Sequence, residues 1–530
     1  MTAISVRNGE AIRTLYGLAK AIPGARAEGP DHTLTGLAVH TDDIFSGNLF
    51  AALDGLNHRG SDFIPQALIN GATAILDDGS AKLGKGTVLR SDGALQTHEN
   101  IGRLIHPNPR EALAHIAAAF SGYPDKHLKI IGITGTNGKT TVAAMLGSIL
   151  NCAGFKPGII GTTGIFFGSV KMDNPLTTPD PIALHPILAE MVNAECTVAI
   201  MEVSSHALEQ KRTAGLGFQS AAFTNLSRDH LDYHGDLEHY FKAKSRLFTE
   251  PPPKGAVINL DDDHGQKLVD QLPKDTPWIG TTLNEPKQDN VIGVADISLS
   301  PQGTHFTLIT SDSRLEVQLP SPGLFNVANA LTAAALARQL GVTDTPIQTG
   351  LNRFNPAGGR LQPIRAGQPC NVFVDYAHTP EALERLLTTA REFTRNRIIT
   401  VFGCGGDRDK GKRALMGEVA ARFGDISVIT DDNPRSEDPA AIRMEIQSGY
   451  AAVAEKDRYP GSRCEMIGDR HRAIDWALSV AGPNDTVLIA GKGHEQYQIV
   501  ADRKIPFDDC GIALASLQRM EYLARPEGSL

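Results

Sequence analysis

The stretch 128–154 constrains the fold of this chain more than any other. Ile130, Ile131 and Ile133 form a short apolar run. Gly132, Gly135 and Gly138 then punctuate a polar loop, and Val142, Met145, Leu146 and Ile149 recur at helical spacing up to Gly154. Strand, loop and helix in that order bring backbone N–H groups and a helix N-terminus to one space, a context that holds phosphate. Lys139 would meet the terminal phosphates and Thr140 would ligate magnesium. The spacing is not the strict Walker form, because Ile133 stands five before Gly138. Taken alone, the same residues also describe a glycine-rich turn with an exposed lysine.

Apolar runs at 197–201, 221–223 and 256–260 are separated by helix-length segments, which predicts a mainly parallel sheet around the loop. The period then changes to two, with Ile297/Leu299, Phe306/Leu308 and Leu315/Val317/Leu319, predicting a small antiparallel addition. Helical spacing returns at Val327, Ala330, Leu331 and Ala334. Asn355-Pro356-Ala357-Gly358-Gly359 follows and reads as an interdomain hinge. Strands near 372–374, 397–402, 426–430 and 486–490 form a third region. Their terminal clusters at Asp375, Gly403, Asp431 and Gly491 would converge on one crevice beyond the carboxyl ends of a sheet. A chain of 530 residues is too long for one core. Three domains are expected, at 1–118, 119–352 and 353–530.

Composition excludes several classes. With 41% apolar and 21% charged residues the chain is not predominantly disordered. A net charge of −9 argues against nucleic acid as the main partner, so anionic substrates need local basic pockets. The six cysteines are too scattered for a zinc or redox motif, as expected of a protein in a reducing cytoplasm. No apolar run is long enough to span a membrane, and the first seventeen residues lack an export signal.

Gly135-Thr136-Asn137-Gly138-Lys139-Thr140-Thr141 resembles the ATP loop of Mur ligases and folylpolyglutamate synthases. Glu202-Val203-Ser204-Ser205-His206 and the run from Thr224-Asn225-Leu226-Ser227 to Asp229-His230-Leu231-Asp232-Tyr233-His234 resemble the next two motifs of the Mur ligase family. That resemblance covers almost the whole chain. It implies an α/β protein with a smaller N-terminal UDP-binding α/β domain, a central P-loop parallel-sheet ATPase domain with the antiparallel addition, and a C-terminal Rossmann-like domain for the incoming amino acid. It also implies ATP as substrate, Mg²⁺ as cofactor and a monomer in the cytoplasm.

The resemblance assigns residues as well. Lys139, Glu202, His230 and Lys244 would be catalytic, with Thr140, Glu202, His230 and Lys244 at the metal. Lys244 matches the family lysine that carbon dioxide carbamylates. An ammonium would repel Mg²⁺, whereas a carbamate supplies anionic oxygens; a solvent-facing helix lysine is the other reading. Asn326 and Asn329 match the adenine-side segment, with helix capping a second account for Asn326. Arg360 would approach phosphate and Asp375 the ribose, and Gln362 stands where the family carries an acid.

Asp432-Asn433-Pro434-Arg435 resembles the signature of family members that add meso-diaminopimelate rather than lysine. The two amino acids differ by one carboxylate, which the Arg435 fork would read through paired hydrogen bonds. Arg408, Gly491 and Glu495 match further residues of that site, with Glu495 on the distal ammonium. For the acceptor, UDP-N-acetylmuramoyl-L-alanyl-D-glutamate, the resemblance implies Thr177, Thr178, Ser204, Gln210 and Arg212, and Thr41 in place of a family serine. His40-Thr41-Asp42 and Arg59-Gly60 depart from the family pattern, and Arg212 also reads as an ordinary surface charge. His206 either accepts the amine's proton or is structural. A folylpolyglutamate synthase, a lysine-adding relative and a nucleotide-gated interaction protein are the rival readings.

Overall fold

The computed structural model describes residues 11–55, 58–81, 87–91, 93, 95–356 and 359–524. Residues 1–10, within the stretch read for an export signal, and Ala357-Gly358 of the expected hinge lie outside the described residues. The chain forms two compact units. The first is Met1–Thr282 with Pro286–Ile292 and Leu331–Gly350, and the second is Leu283–Glu285, Gly293–Ala330 and Leu351–Leu530.

The first unit contains two principal sheets. A five-stranded sheet runs in the order Arg26–Glu28, Gly102–Ile105, Ala74–Asp77, Asn48–Ala51, Gly36–Ala38, parallel except for its first strand. Asn108 caps the helix Pro109–Phe120, whose face of Leu113, Ile116 and Phe120 closes this sheet's core. Ile182, from the helix Pro181–Asn193, packs on the same cluster, joining the N-terminal and central regions into one unit.

In the larger sheet the strand Lys129–Thr134 lies between Val198–Glu202 and Phe218–Phe223 and is parallel to both. Glu202 pairs with Ile133 and Phe223 with Thr134, so three strand ends face the same edge. Behind them runs the helix Leu237–Thr249, started by Asp236, which accepts from His239 N. Tyr240, Lys244 and Phe248 recur every four residues on its buried face.

The strand Val291–Ser300 begins parallel to Trp278–Thr281 and continues antiparallel to Gly303–Ile309, which pairs with Arg314–Leu319. The antiparallel addition is therefore present, and its first strand begins earlier than the period-two pattern indicated.

In the second unit a six-stranded sheet has the order Gln362–Pro363, Asn371–Asp375, Thr486–Ala490, Ile398–Phe402, Ile426–Ile429, Arg463–Met466. All but the first strand are parallel. Alternation sends Phe373, Ile398, Phe402 and Leu488 to one core and Val372, Val374, Ile399, Val401, Val487 and Ile489 to another, so both faces are covered. Among the described residues no helix is long and apolar enough to cross a membrane.

Candidate active site

In the first unit the phosphate-type loop is held from the side by the segment after the strand Phe218–Phe223. Thr224 Oγ1 donates to Asn137 O at 2.6 Å, Asn137 N to Asn225 Oδ1 at 3.0 Å and Thr136 N to Asn225 O at 2.9 Å. Gly135 has φ +143°, and a Cβ there would stand 1.9 Å from Thr224 Oγ1. Gly138, at φ +88°, turns the chain into the helix Lys139–Cys152, where Thr140 is buried. The Lys139 ammonium folds back on Gly135 O at 2.8 Å and Thr136 O at 2.9 Å. This lacing is denser than a bare turn with an exposed lysine would have. The roles of Thr224 and Asn225 were not read from the sequence, although their motif was recognised.

Lys244 is not a solvent-facing helix lysine: it is 1% exposed, with Nζ 2.9 Å from Gly135 O and 4.4 Å above the Tyr240 ring. The side chains of Lys139 and Lys244 thus meet at one carbonyl. Burial, and then the charge of Lys139, push the Lys244 amine well below its ordinary proton affinity. Glu202 is likewise buried, accepting from Thr162 N at 3.0 Å and Thr162 Oγ1 at 3.1 Å, in space left by Gly161. His230, at φ +52°, is half exposed and stacks edge-on with His206 at 4.9 Å. His206 also lies 4.2 Å from the Tyr233 ring. Among the described residues no three or more His, Cys, Asp or Glu side chains form a metal cluster.

Beyond Glu202, Ser204 N donates to Thr178 Oγ1 at 3.0 Å, and Thr178 Oγ1 donates to Glu202 O. Arg212 is no loose surface charge. Its Nη1 donates to Thr178 O at 2.8 Å and its Nη2 to Gln210 Oε1 at 2.8 Å. Thr177 Oγ1 is 3.1 Å from Thr162 Oγ1, so all five expected acceptor residues of the central region gather around this strand end. Thr41 opens a short 3₁₀ turn, where its carbonyl accepts from Asn70 Nδ2. It is not part of the N-terminal region's open cleft of about 470 Å³, whose lining includes Asp54, Arg59, Ser61, Asp78, Asn108 and Arg110.

In the second unit Asn326 is the third residue of the helix Leu324–Gln339. Its amide donates back to Ser321 Oγ and Pro322 O at 2.8 Å, so it braces the preceding turn rather than capping the helix. Asn329 donates to Asn326 Oδ1. The Asp375 carboxylate accepts from Leu361 N and Ala377 N, both at 2.8 Å. Burial pushes it up, against the opposing charge of Arg360. The Arg360 guanidinium lies over Tyr376 at 5.1 Å, and Gln362, in the place of the family acid, accepts from Gly359 N.

The amino-acid residues converge beyond the six-stranded sheet. Lys492, fully buried and given no role in the sequence reading, donates to Asn433 Oδ1 at 2.9 Å and lies 3.3 Å from Asp432 and 3.4 Å from Glu495. Asn433 Nδ2 donates to Glu495 Oε2, the same oxygen that faces Lys492, so Glu495 shares its charge with that lysine. Asp432 and Glu495 against Lys492 leave one net negative charge, suited to an ammonium. Gly491, at φ +117°, follows Ala490, whose carbonyl accepts from Arg470; Arg470 pairs at both ends with Asp509, and both side chains are fully buried. Arg435, at φ +51°, donates Nη1 to Gly406 O at 2.7 Å, while Arg408 is exposed. Lys492 and Arg470 carried a single signal, the rarity of fully buried charge, and burial is invisible without the fold.

Sequence models of three family domains match this chain: the Mur ligase family catalytic domain over 34–121, the Mur ligase middle domain over 133–337 and the Mur ligase glutamate ligase domain over 359–493. The UDP-N-acetylmuramoyl-L-alanyl-D-glutamate--2,6-diaminopimelate ligase of Brucella melitensis biotype 1 is 40% identical over 506 residues, 94% of this chain and 97% of that protein. Its namesake from Alkalilimnicola ehrlichii is 42% identical over 482 residues, 90% and 94% of the two chains. A solved structure of a ligase with the same name has a TM-score of 0.66 at 32% identity, covering 92% of this chain and 96% of that one. The MurF ligase of Thermotoga maritima in complex with ADP, 17% identical with a TM-score of 0.58 over 92% and 98% of the two chains, shares the fold. With both relatives aligned over nine-tenths or more of its length, this chain belongs to the Mur ligase family.

Proposed function

We propose that this chain joins meso-diaminopimelate to the D-glutamate carboxylate of UDP-N-acetylmuramoyl-L-alanyl-D-glutamate, cleaving ATP to ADP and phosphate, in the synthesis of cell-wall peptide precursor. The observation that carries the choice of amino acid is Arg435. It gives Nη1 to the Gly406 carbonyl rather than to a carboxylate, and it ends the Asp432-Asn433-Pro434-Arg435 run in which Asp432 meets Lys492 and Asn433 meets Glu495. A distal carboxylate on Arg435 and a distal ammonium on the acidic pair suit diaminopimelate. Lysine would leave the guanidinium without its anion. The activity named for the 40% and 42% identical relatives points the same way.

A carboxylate is a poor target for an amine, so the D-glutamate oxygen first takes the γ-phosphoryl group and ADP leaves. The amine then attacks the acyl carbon and phosphate departs. Lys139 exchanges its loop carbonyls for phosphate oxygens. Thr177, Thr178, Ser204, Gln210 and Arg212 orient the acceptor. Asn326, Asn329, Arg360 and Asp375 serve the nucleotide, and Arg408 and Gly491 complete the amino-acid pocket. Action in the cytoplasm fits the six cysteines, all free.

Thr140, Glu202, His230 and Lys244 would hold Mg²⁺. Their donor set fits a hard cation on one condition: the single carboxylate of Glu202 needs a second anion, which a Lys244 carbamate supplies. Buried and poor in proton affinity, the Lys244 amine is suited to its neutral form, whose lone pair attacks carbon dioxide. An N–C bond forms, one C=O bond becomes C–O⁻ and one proton leaves. When bound, the metal would neutralise charge on the phosphate oxygens.

Phosphate release tests the reading when ATP and the UDP-muramoyl dipeptide are supplied with diaminopimelate, lysine or glutamate in parallel. Release dependent on diaminopimelate is expected. Equal release with lysine, release with glutamate alone, or none with any amine overturns it.

A further inference from the structure

Arg435 holds a left-handed backbone that is strained for a residue with a Cβ, so something must hold it there. Two backbone bonds do part of this: Arg435 N donates to Ile499 O and Ala501 N to Arg435 O. Its side chain is aimed by Gly406 O, and Gly406 belongs to the loop after the strand Ile398–Phe402. The aim of Arg435 is therefore only as good as the placement of that loop.

The loop is gripped from beneath by Arg413, whose side chain is fully buried. Arg413 donates Nη2 to Glu437 Oε1 at 2.9 Å, Nη1 to Glu437 Oε2 at 3.1 Å, Nη1 to Glu445 Oε2 at 3.0 Å and Nη2 to Gly405 O at 3.4 Å. Glu437, two residues after Arg435, also accepts from Asp407 N at 2.6 Å. One buried fork thus ties the loop bearing Gly405 and Gly406 to the segment bearing Arg435. A Cβ on Gly406 would stand 1.9 Å from Pro434 O, so the two backbones are already in contact.

We propose that Arg413 and Glu437 are positioning residues for the amino-acid step, acting through Gly405–Gly406 to set the aim of Arg435 and with it the preference for a diamine bearing a distal carboxylate.

The inference rests on the function proposed above and is tested separately from it, in the full-length protein, with Arg413→Lys, Glu437→Gln and Glu437→Ala. Arg413→Lys keeps the charge but loses the fork. It should raise the KM for diaminopimelate tenfold or more and lower the diaminopimelate-to-lysine ratio of kcat/KM by a similar factor, while the KM for ATP changes less than twofold. Glu437→Gln, which keeps both side-chain positions, should recover part of what Glu437→Ala loses. In an Arg435→Ala background, Arg413→Lys should add no further loss of preference. Loss spread equally over all three substrates, or additive losses in the double variant, overturns the inference. A wild-type protein that never preferred diaminopimelate overturns instead the reading of Arg435.

Discussion

The phosphate loop of the first unit and the Arg435 loop of the second both hold backbone in left-handed conformations, by opposite means. At Gly135 and Gly138 the missing Cβ removes the strain, and Thr224 and Asn225 lace the loop in place beside the lysine amines that donate to its carbonyls. At Asp407 and Arg435 side chains are kept, and buried charge, Arg413 against Glu437 and Glu445, holds them. A loop that cradles phosphate does so largely with backbone N–H groups, which glycine carries as well as any residue. A loop that separates two amino acids differing by a carboxylate needs a guanidinium at one spot, so glycine cannot serve there.

Breaking the charged side should give the largest effect. Arg435→Ala is expected to lower kcat/KM for diaminopimelate by tens to thousands of times, from the roughly 2–5 kcal/mol lost with such a contact, and to leave ATP binding intact. Steady-state kinetics with each substrate varied in turn checks this; an unchanged diaminopimelate-to-lysine ratio removes Arg435 from selection. On the glycine side, Gly135→Ala forces a Cβ into the Thr224 hydroxyl at a φ that disfavours it. A cost of about 3–4 kcal/mol, combining overlap and backbone strain, would weaken ATP binding on the order of 10²–10³-fold by calorimetry.

Gly405→Ala sharpens the contrast, because its Cβ would crowd the Arg435 Nη1 end at 2.9 Å while its next neighbours stand at 3.7 Å and 3.8 Å, with no positive φ. The guanidinium can move aside, so a loss within about tenfold in diaminopimelate KM is expected, of order 1 kcal/mol. A loss as large as that of Gly135→Ala would mean the charged loop is the stiffer of the two. Asn225→Ala removes one acceptor and one donor of the lacing and should cost ATP affinity about tenfold, at roughly 0.5–1.5 kcal/mol for each hydrogen bond lost.

Acid separates the regions most gently. His185, in the first unit, is fully buried and neither ring nitrogen has a hydrogen-bond partner; burial pushes its pKa down to about 3. The unfolded chain therefore binds the extra proton between pH 6.5 and 3, and stability falls as pH drops through that window, by up to about 1.4 kcal/mol per pH unit. His185→Phe should flatten this slope in thermal unfolding followed from pH 7 to 4; a parallel profile would show that His185 has a partner in solution. Glu437 acts with the same sign in a lower window. The hydrogen bond from Arg413 holds it at about 2, so its contribution is fully present above its ordinary value of 4.5 and is lost progressively as pH falls from there through about 2.

Much of this was legible in residue order. The periodicity around Ile130 and Val142 marked the central strand and helix, and the period-two stretch at Phe306 and Val317 marked the hairpins, because alternation and helical spacing are local consequences of which face is buried. The motif residues Lys139, Glu202, Lys244, Asn433 and Arg435 stand out in residue order as candidates. What they touch was not: Arg212 read equally as surface charge, Asn326 as a cap and Lys244 as solvent-facing. Those alternatives differ only in burial and partners, which residues distant in sequence supply.

The amino-acid sequence by itself determined the strand–loop–helix cradle, the α/β alternation and the chemical types brought to each strand end, since these follow from side-chain period and from glycine's missing Cβ. Only the tertiary structure decided that Lys244 loses its solvent, that Lys492 stands between two acids and that Arg413 reaches Gly405 and Glu437 together. Desolvation and ion pairing depend on distance in space, and that distance exists only once the sheet orders its strands.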